Sequence, residues 1–254
     1  MKIQLIGYDY NINRNYKMDL FTEIVNSSDA DLILFPGHTL RNEDDTDYIE
    51  SDLTNNHSIA VLELEEGRPS SCMFTRNELF LLKEGLFEDT YSSQILATAE
   101  DVKNGGEALM GKLLDEIQRR QFICCGKRIT VLQCGETALL ASAKSEGYKA
   151  SFRYKDNEAL NRKFEDILAS TDIFLNPIHD LQGEQGIMAQ RRALLSAEGR
   201  FYFSSCALNY DMSGKFSSKR LQYAMYNGED VIDKAETHQD DCFISRVFDT
   251  ASLC

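Results

Sequence analysis

The run Arg128-Ile-Thr-Val-Leu-Gln-Cys-Gly-Glu136 is β-branched and apolar until it stops at a cysteine, a glycine and a carboxylate. A strand that ends there leaves Cys134 at the carboxyl edge of a sheet, where open α/β sheets place their ligands. Gly135 can adopt backbone angles closed to other residues, so the turn can be sharp and a main-chain N–H can face whatever the sulfur attacks. Taken alone, the run fits a buried structural cysteine better, because free cysteine is among the most buried residue types.

Outward from this strand the same pattern recurs. Residues 2–7 predict a strand, 15–28 a helix with Met18, Phe21, Ile24 and Val25 on one face, and 31–36 a fully apolar strand. That order and spacing predict a crossover unit with the second strand covered on both faces. Pro36 ends it, which puts Gly37 and His38 on the loop beyond. The segment 41–56 is acidic and suits a solvated loop or short exposed helix. Strands at 58–64, 71–75 and 78–83 form a meander, and Lys83 closes the last of them, either as a solvated strand end or as a cation aimed into a cleft. Gly105-Gly106 predicts a turn before a helix over 107–119. Downstream, 137–146 and 157–170 predict helices, and 172–176 a strand ended by Pro177. His179 and Asp180 then fall on a loop at the edge where Cys134 is expected. A helix over 185–198 and a strand over 199–206 follow, then polar text to a final edge strand at 241–248. With no linker and no repeat of 20 to 50 residues, 1–254 predicts one domain.

The 254 residues carry 27 Lys and Arg against 41 Asp and Glu, a formal charge of -14. That balance argues against a nucleic-acid groove, which needs clustered cations. No apolar run reaches the roughly 18 residues of a membrane span, and the first residues enter a strand pattern with no signal-peptide core, so a cytoplasmic protein with no membrane partner is expected. Seven cysteines, an odd number with no C-x-x-C, suit reduced thiols, and the adjacent Cys124-Cys125 pair lacks the spacing of a redox motif. The four histidines, at 38, 57, 179 and 238, show no zinc-ligand spacing, so no metal is expected.

Three segments together resemble the carbon–nitrogen hydrolase (nitrilase-like) superfamily: Leu32-Ile-Leu-Phe-Pro-Gly37, Lys83-Glu-Gly-Leu-Phe87 and Ile129-Thr-Val-Leu-Gln-Cys134-Gly-Glu136. Asn176-Pro177 and the stretch from Met188 to Arg200 fit the same order. The resemblance implies a four-layer α-β-β-α sandwich, two mixed sheets with helices outside, and a homodimer paired through the outer helices. It implies a Glu-Lys-Cys site in which Cys134 attacks a small-molecule amide or nitrile to form a thioester or thioimidate, and Lys83, with the Gly135 N–H, stabilises the oxyanion. No cofactor is implied. Where the family carries its glutamate base, this chain has Gly37. Losing a general base removes about 10²–10⁴-fold of rate. His38 and Glu136 are candidate substitutes, although His38 equally suits a surface loop and Glu136 a helix start. Glu88 and Glu100 are candidates for the family's accessory glutamate. Two functions stay open: an amide or nitrile hydrolase with a rearranged base, and a silent relative that binds a small molecule or scaffolds an assembly.

Overall fold

The crossover units expected at both ends of the chain are present in the computed structural model, which describes residues 1–9, 12–41, 44–64, 77–88, 92–142, 147, 149–179, 185–207 and 221–253. β1 (Lys2–Tyr8) and β2 (Leu32–Leu34) pair in parallel across α1 (Arg14–Ser27), and α2 (Asp44–Ser51) leads on to β3 (Ile59–Leu64), parallel to β2. β4 (Glu78–Lys83) turns back antiparallel to β3, and the short β5 (Leu86–Phe87) and β6 (Ser92–Ser93) both pair with it. After α3 (Ala99–Arg119), β7 (Phe122–Cys124) and β8 (Lys127–Val131) form a hairpin. β9 (Leu140–Ser142) and β10 (Ala150–Phe152) make a small separate sheet. α4 (Glu158–Ala169) precedes β11 (Ile173–Ile178), parallel to β8, and α5 (Gln185–Leu195) precedes β12 (Phe201–Cys206), parallel to β11. β13 (Gln222–Tyr226) and β14 (Glu229–Asp230) extend this sheet, while β15 (Glu236–Gln239) and β16 (Phe243–Asp249) return to the first. The sheet orders are β15-β16-β1-β2-β3-β4-β5 and β14-β13-β12-β11-β8-β7.

Alternation along the strands sorts the core into three slabs. On β3, Ala60, Leu62 and Leu64 pack with Met18, Phe21 and Ile24 of α1, whereas Val61 faces the other way. Val61 meets Ile129 and Val131 of β8, Leu175 of β11 and Phe203 of β12 in the seam between the sheets. On the far side, Leu132, Phe174 and Tyr202 pack with Leu113 of α3 and Phe164 of α4. The result is the four-layer α-β-β-α sandwich. The seam is fully buried, so a truncation such as Leu175→Ala there costs about 2–5 kcal/mol. Among the described residues no helix is long and apolar enough to cross a membrane.

Several boundaries differ from expectation for local reasons. The third helix begins at Ala99, capped by a Thr98–Asp101 capping box, and runs through the glycine pair with a kink at Gly106 (φ 59°). The helix expected over 137–146 is instead a 3₁₀ turn, Cys134–Leu139, followed by β9, because Leu140–Ser142 pairs with β10. Pro177 does not stop its strand. Leu132 N–H donates to Leu175 O from the β8 side, so the nitrogen at 177 faces the same side beyond the last β8 pairing, where no ladder bond is lost. β16 is not an edge strand, since it lies between β15 and β1. The strands β13 to β15 fall in text that reads as polar and irregular. The strand expected at 71–75, and Asp180, lie outside the described residues.

Candidate active site

Strand parity delivers the central groups. Inner-face residues of β3 are Ile59, Val61 and therefore Glu63, so its carboxylate enters the seam between the sheets near the carboxyl end of the strand. The inner-face sequence Ile129, Val131 of β8 continues to Gln133, and Ile173, Leu175 of β11 continues past Pro177 to His179. The loop after β2 closes over this point, with Gly37 N–H donating to Ile178 O at 3.1 Å.

Glu63 is fully buried and satisfied on both oxygens. Gln133 Nε2 donates to Oε1 at 2.7 Å, while His38 N–H donates to Oε2 at 3.1 Å and His179 Nε2 donates to the same Oε2. His179 also reaches the cysteine, its backbone N–H donating to Cys134 Sγ at 3.4 Å. With Nε2 committed to Glu63, Nδ1 is the ring nitrogen left for proton transfer. Burial pushes the Glu63 carboxyl upward, but the His179 charge and hydrogen bond, with His38 and Gln133, outweigh it and hold the group below its ordinary value. Burial likewise depresses the His179 ring, and the Glu63 charge together with Cys134 outweighs it, pushing the imidazole up to about 11. His179 is thus an imidazolium at neutral pH, held by a buried carboxylate on a residue whose N–H meets the partly exposed thiol.

Of the residues singled out in the sequence, Cys134, Gly37, His38 and His179 come together here, and Glu63 joins them. Gly37 leaves no empty space: a Cβ there would lie 2.1 Å from His179 Cδ2 and 2.7 Å from Glu63 Oε2. The imidazole and carboxylate occupy the volume that a side chain at 37 would need. Gly135 is required by close approach, not by backbone angle, since its Cβ would lie 1.7 Å from Ala97 O and its φ is not positive. Glu136 is turned away into a structural role. Fully buried, it pairs with the equally buried Arg120 and accepts from Gln133 N–H at 2.9 Å and Ile95 N–H at 2.9 Å. Arg120 is tied in turn to Ser92 Oγ at 2.5 Å and Ser93 O at 2.8 Å. These bonds fix the turn that carries Cys134.

Lys83 lies at the other end of its strand. β4 pairs antiparallel with β3 so that Leu79 is opposite Glu63 and Leu82 opposite Ala60, which sets Lys83 about 13 Å along the strand from the carboxylate. It is half-exposed, with Glu88 Oε1 3.9 Å away. The Lys-Glu-Gly-Leu text around it is a two-residue hairpin, with Lys83 opposite Leu86 and both Glu84 (φ 56°) and Gly85 (φ 80°) left-handed, as a type I′ turn demands. Glu100 sits exposed in the first turn of α3. Glu63 itself had a legible signal: a lone carboxylate inside Ile59-Ala-Val-Leu-Glu-Leu64 must be buried, and buried carboxylates need partners.

His38 stacks on His179, ring centroids 3.6 Å apart and 19° from parallel, and its Nε2 lies 3.0 Å from Asn77 Oδ1. Donor atoms of His38, Glu63 and His179 all lie within 4.8 Å of one another, a set chemically suited to a divalent metal. The stack argues against a preformed metal site, because nearly parallel rings one above the other do not aim their in-plane lone pairs at one point, and His179 Nε2 is held by Glu63.

No protein-family model matches the sequence, and no curated protein matches it. Solved structures do match the fold. An amidase from Nesterenkonia sp. superposes with a TM-score of 0.54 at 11% identity, over 98% of this chain and 90% of its own. A CN-hydrolase superfamily protein from Xanthomonas campestris, with an arsenic adduct in its active site, gives 0.56 at 11% identity over 100% and 92%. A carbon–nitrogen hydrolase from Helicobacter pylori gives 0.54 at 9% identity over 99% and 90%. The chain therefore has the fold of the amidases and carbon–nitrogen hydrolases over its full length.

Proposed function

We propose that this protein is a carbon–nitrogen hydrolase acting on a non-peptide amide or nitrile through a Cys134 thioester, with a Cys134–His179–Glu63 arrangement in place of a Glu-Lys-Cys site. The observation that carries the reading is a partly buried imidazole paired with a fully buried carboxylate, on a residue whose backbone N–H donates to the partly exposed Cys134 thiol. The thiolate is the attacking form of a cysteine, and the His179 backbone N–H is aimed at Sγ. Cys134 Sγ adds to the amide carbon, and the C–N bond breaks as His179 gives its Nδ1 proton to the departing nitrogen. Glu63 holds the ring in that orientation and stabilises its charge, the task of the third member of a triad. A nitrile would take the same attack to a thioimidate. The fold neighbours support this chemistry: the Nesterenkonia amidase, in a variant form, holds the acetamide moiety of fluoroacetamide covalently at its active-site cysteine.

The test is a panel of small amides and nitriles, read by ammonia release and by intact mass. Substrates turn over with an acyl adduct on Cys134, and Cys134→Ala abolishes both. A folded protein that releases no ammonia and gains no adduct across the panel leaves the alternative, a silent member of this fold that binds a small molecule or scaffolds an assembly.

A further inference from the structure

A buried charge needs a partner, and the buried arginines of this protein differ in whether they have one. Among the described residues three arginines are at least nine-tenths buried: Arg120, Arg192 and Arg200. Arg120 has Glu136, and Arg200 has Glu198 Oε2 at 3.0 Å and Leu195 O at 3.0 Å. Arg192, on α5, is 5% exposed and meets no carboxylate among the described residues; its Nε is buried with no hydrogen-bond partner. What holds it is an aromatic face, the guanidinium carbon lying 3.7 Å from the centre of the Tyr223 ring. The ring face attracts the charge but gives the N–H fork no lone-pair acceptor.

Arg192 lines a cavity of about 530 Å³ between α5 and the β13–β14 hairpin, with Ala189, Ala193 and Met225 as its apolar wall. Tyr223 is opposite Ser204 in the β12–β13 register and Met225 opposite Tyr202, and Met225 and Tyr202 pack together on the helix side of the second sheet. Cys134 follows β8, three strands from β13 in the order β13-β12-β11-β8. Three spacings of about 4.8 Å set the cavity about 14 Å across the sheet from the strand that leads to the nucleophile. Asp230 also lines the cavity; it is exposed, and its Oδ1 accepts from Ile232 N–H at 3.0 Å. With one buried cation and one acid at its mouth, the cavity suits a ligand of a single negative charge and repels one of two.

We propose that Arg192 and Tyr223 form a binding site for a small organic monocarboxylate, separate from the Cys134 site and independent of its chemistry. The carboxylate oxygens accept from the guanidinium fork, a pairing whose planar geometry arginine matches. The short apolar body of the ligand lies against Ala189, Ala193 and Met225. Tyr223 holds the guanidinium before a ligand arrives, so little side-chain freedom is lost on binding.

The probe is butyrate, with butanol as its uncharged counterpart and inorganic phosphate as a more highly charged anion. Each is titrated into the full-length protein carrying isotope-labelled methionine methyl groups, and the Met225 signal, assigned with Met225→Leu, reports the cavity. Butyrate moves that signal saturably, butanol does not, and phosphate binds more weakly than butyrate. In Arg192→Met, folded by circular dichroism, butyrate affinity falls about 10–100-fold, the loss expected for a charge-assisted hydrogen bond. Arg192→Lys keeps the charge without the fork and loses several-fold. Alkylation of Cys134 by iodoacetamide runs at the same rate with butyrate bound. A Met225 signal that butyrate leaves unmoved, or that butanol moves equally, overturns the site, as does wild-type affinity in either folded variant. Tighter binding of phosphate overturns the monocarboxylate class. Slower Cys134 alkylation with butyrate bound overturns the separation of the two sites. If neither variant folds, the wild-type titrations and the alkylation rate decide.

Discussion

Two fully buried carboxylates flank the nucleophile turn, and their partners differ. Glu136 is held by Arg120 with backbone donors from Gln133 and Ile95, and Glu63 is held by His179 with donors from Gln133 and His38. Arginine stays charged at every physiological pH and presents a rigid fork, so the first pair can hold geometry and nothing else. Imidazole gives and takes a proton in the neutral range, so the second can also do chemistry. One turn of chain, Gln133–Glu136, joins them. Glu136 locks the turn from behind, while His179, held by Glu63, meets the sulfur in front.

The largest effect should come from breaking the second pair alone. Glu63→Gln keeps an acceptor for His179 and a similar volume but removes the charge that sustains the imidazolium. Amide turnover should fall about 10³–10⁴-fold, the scale seen when the orienting carboxylate of a triad is neutralised, with the fold intact by circular dichroism. Turnover within a few-fold of wild type would separate Glu63 from the chemistry.

Breaking the first pair should instead cost stability. Arg120→Met strands Glu136 as an unpaired buried charge, and denaturant unfolding should show a loss of about 3–5 kcal/mol. Adding Glu136→Gln should recover part of it, because the amide oxygen still accepts from Ile95 or Gln133 without a charge. No recovery in the double variant would mean that the charge was not the source of the loss.

The same contrast explains what could be read from the chain without its structure. The sandwich was legible because each crossover unit carries its own periodicity, and because Leu32–Leu34 and Ile173–Leu175 are apolar on both faces. Cys134, Gly37, His38 and His179 were legible because each follows the end of a strand, where loops of such sheets converge. Glu63 could be read as a carboxylate inside an apolar strand, but its role depends on which face it takes and on what the other sheet brings opposite. Lys83-Glu-Gly-Leu looked like a site motif because its residue types match, yet the same Glu-Gly pair is good type I′ turn chemistry, and the antiparallel register carries the lysine away from Glu63. Local text cannot distinguish those two without the register.

Stability against pH sharpens the contrast at smaller amplitude. The His179 ring is raised in the folded protein, so its contribution is complete below the unfolded value near 6.5 and is lost as pH rises toward about 11. Glu63 is lowered, so its contribution is complete above the unfolded value near 4.5 and is lost as pH falls below it. The pair therefore supports the fold fully between about pH 4.5 and 6.5. Wild-type stability should decline from pH 7 to pH 10 by an amount on the order of a few kcal/mol, and the decline should be smaller in His179→Gln. Equal declines in the two proteins would show that His179 is not the titrating group.

The smallest effect should fall on Lys83. A half-exposed lysine 3.9 Å from Glu88 beside a hairpin turn, about 13 Å along β3 from Glu63, has little means of reaching an oxyanion on Cys134. Lys83→Ala should leave amide turnover within about twofold of wild type, as exposed substitutions away from special features usually do. The cation beside the sulfur is then His179, whose charge is sustained by the Glu63 carboxylate on β3. A loss of a hundredfold or more in Lys83→Ala would reverse that assignment, requiring the β4–β5 turn to fold over the site when substrate is bound.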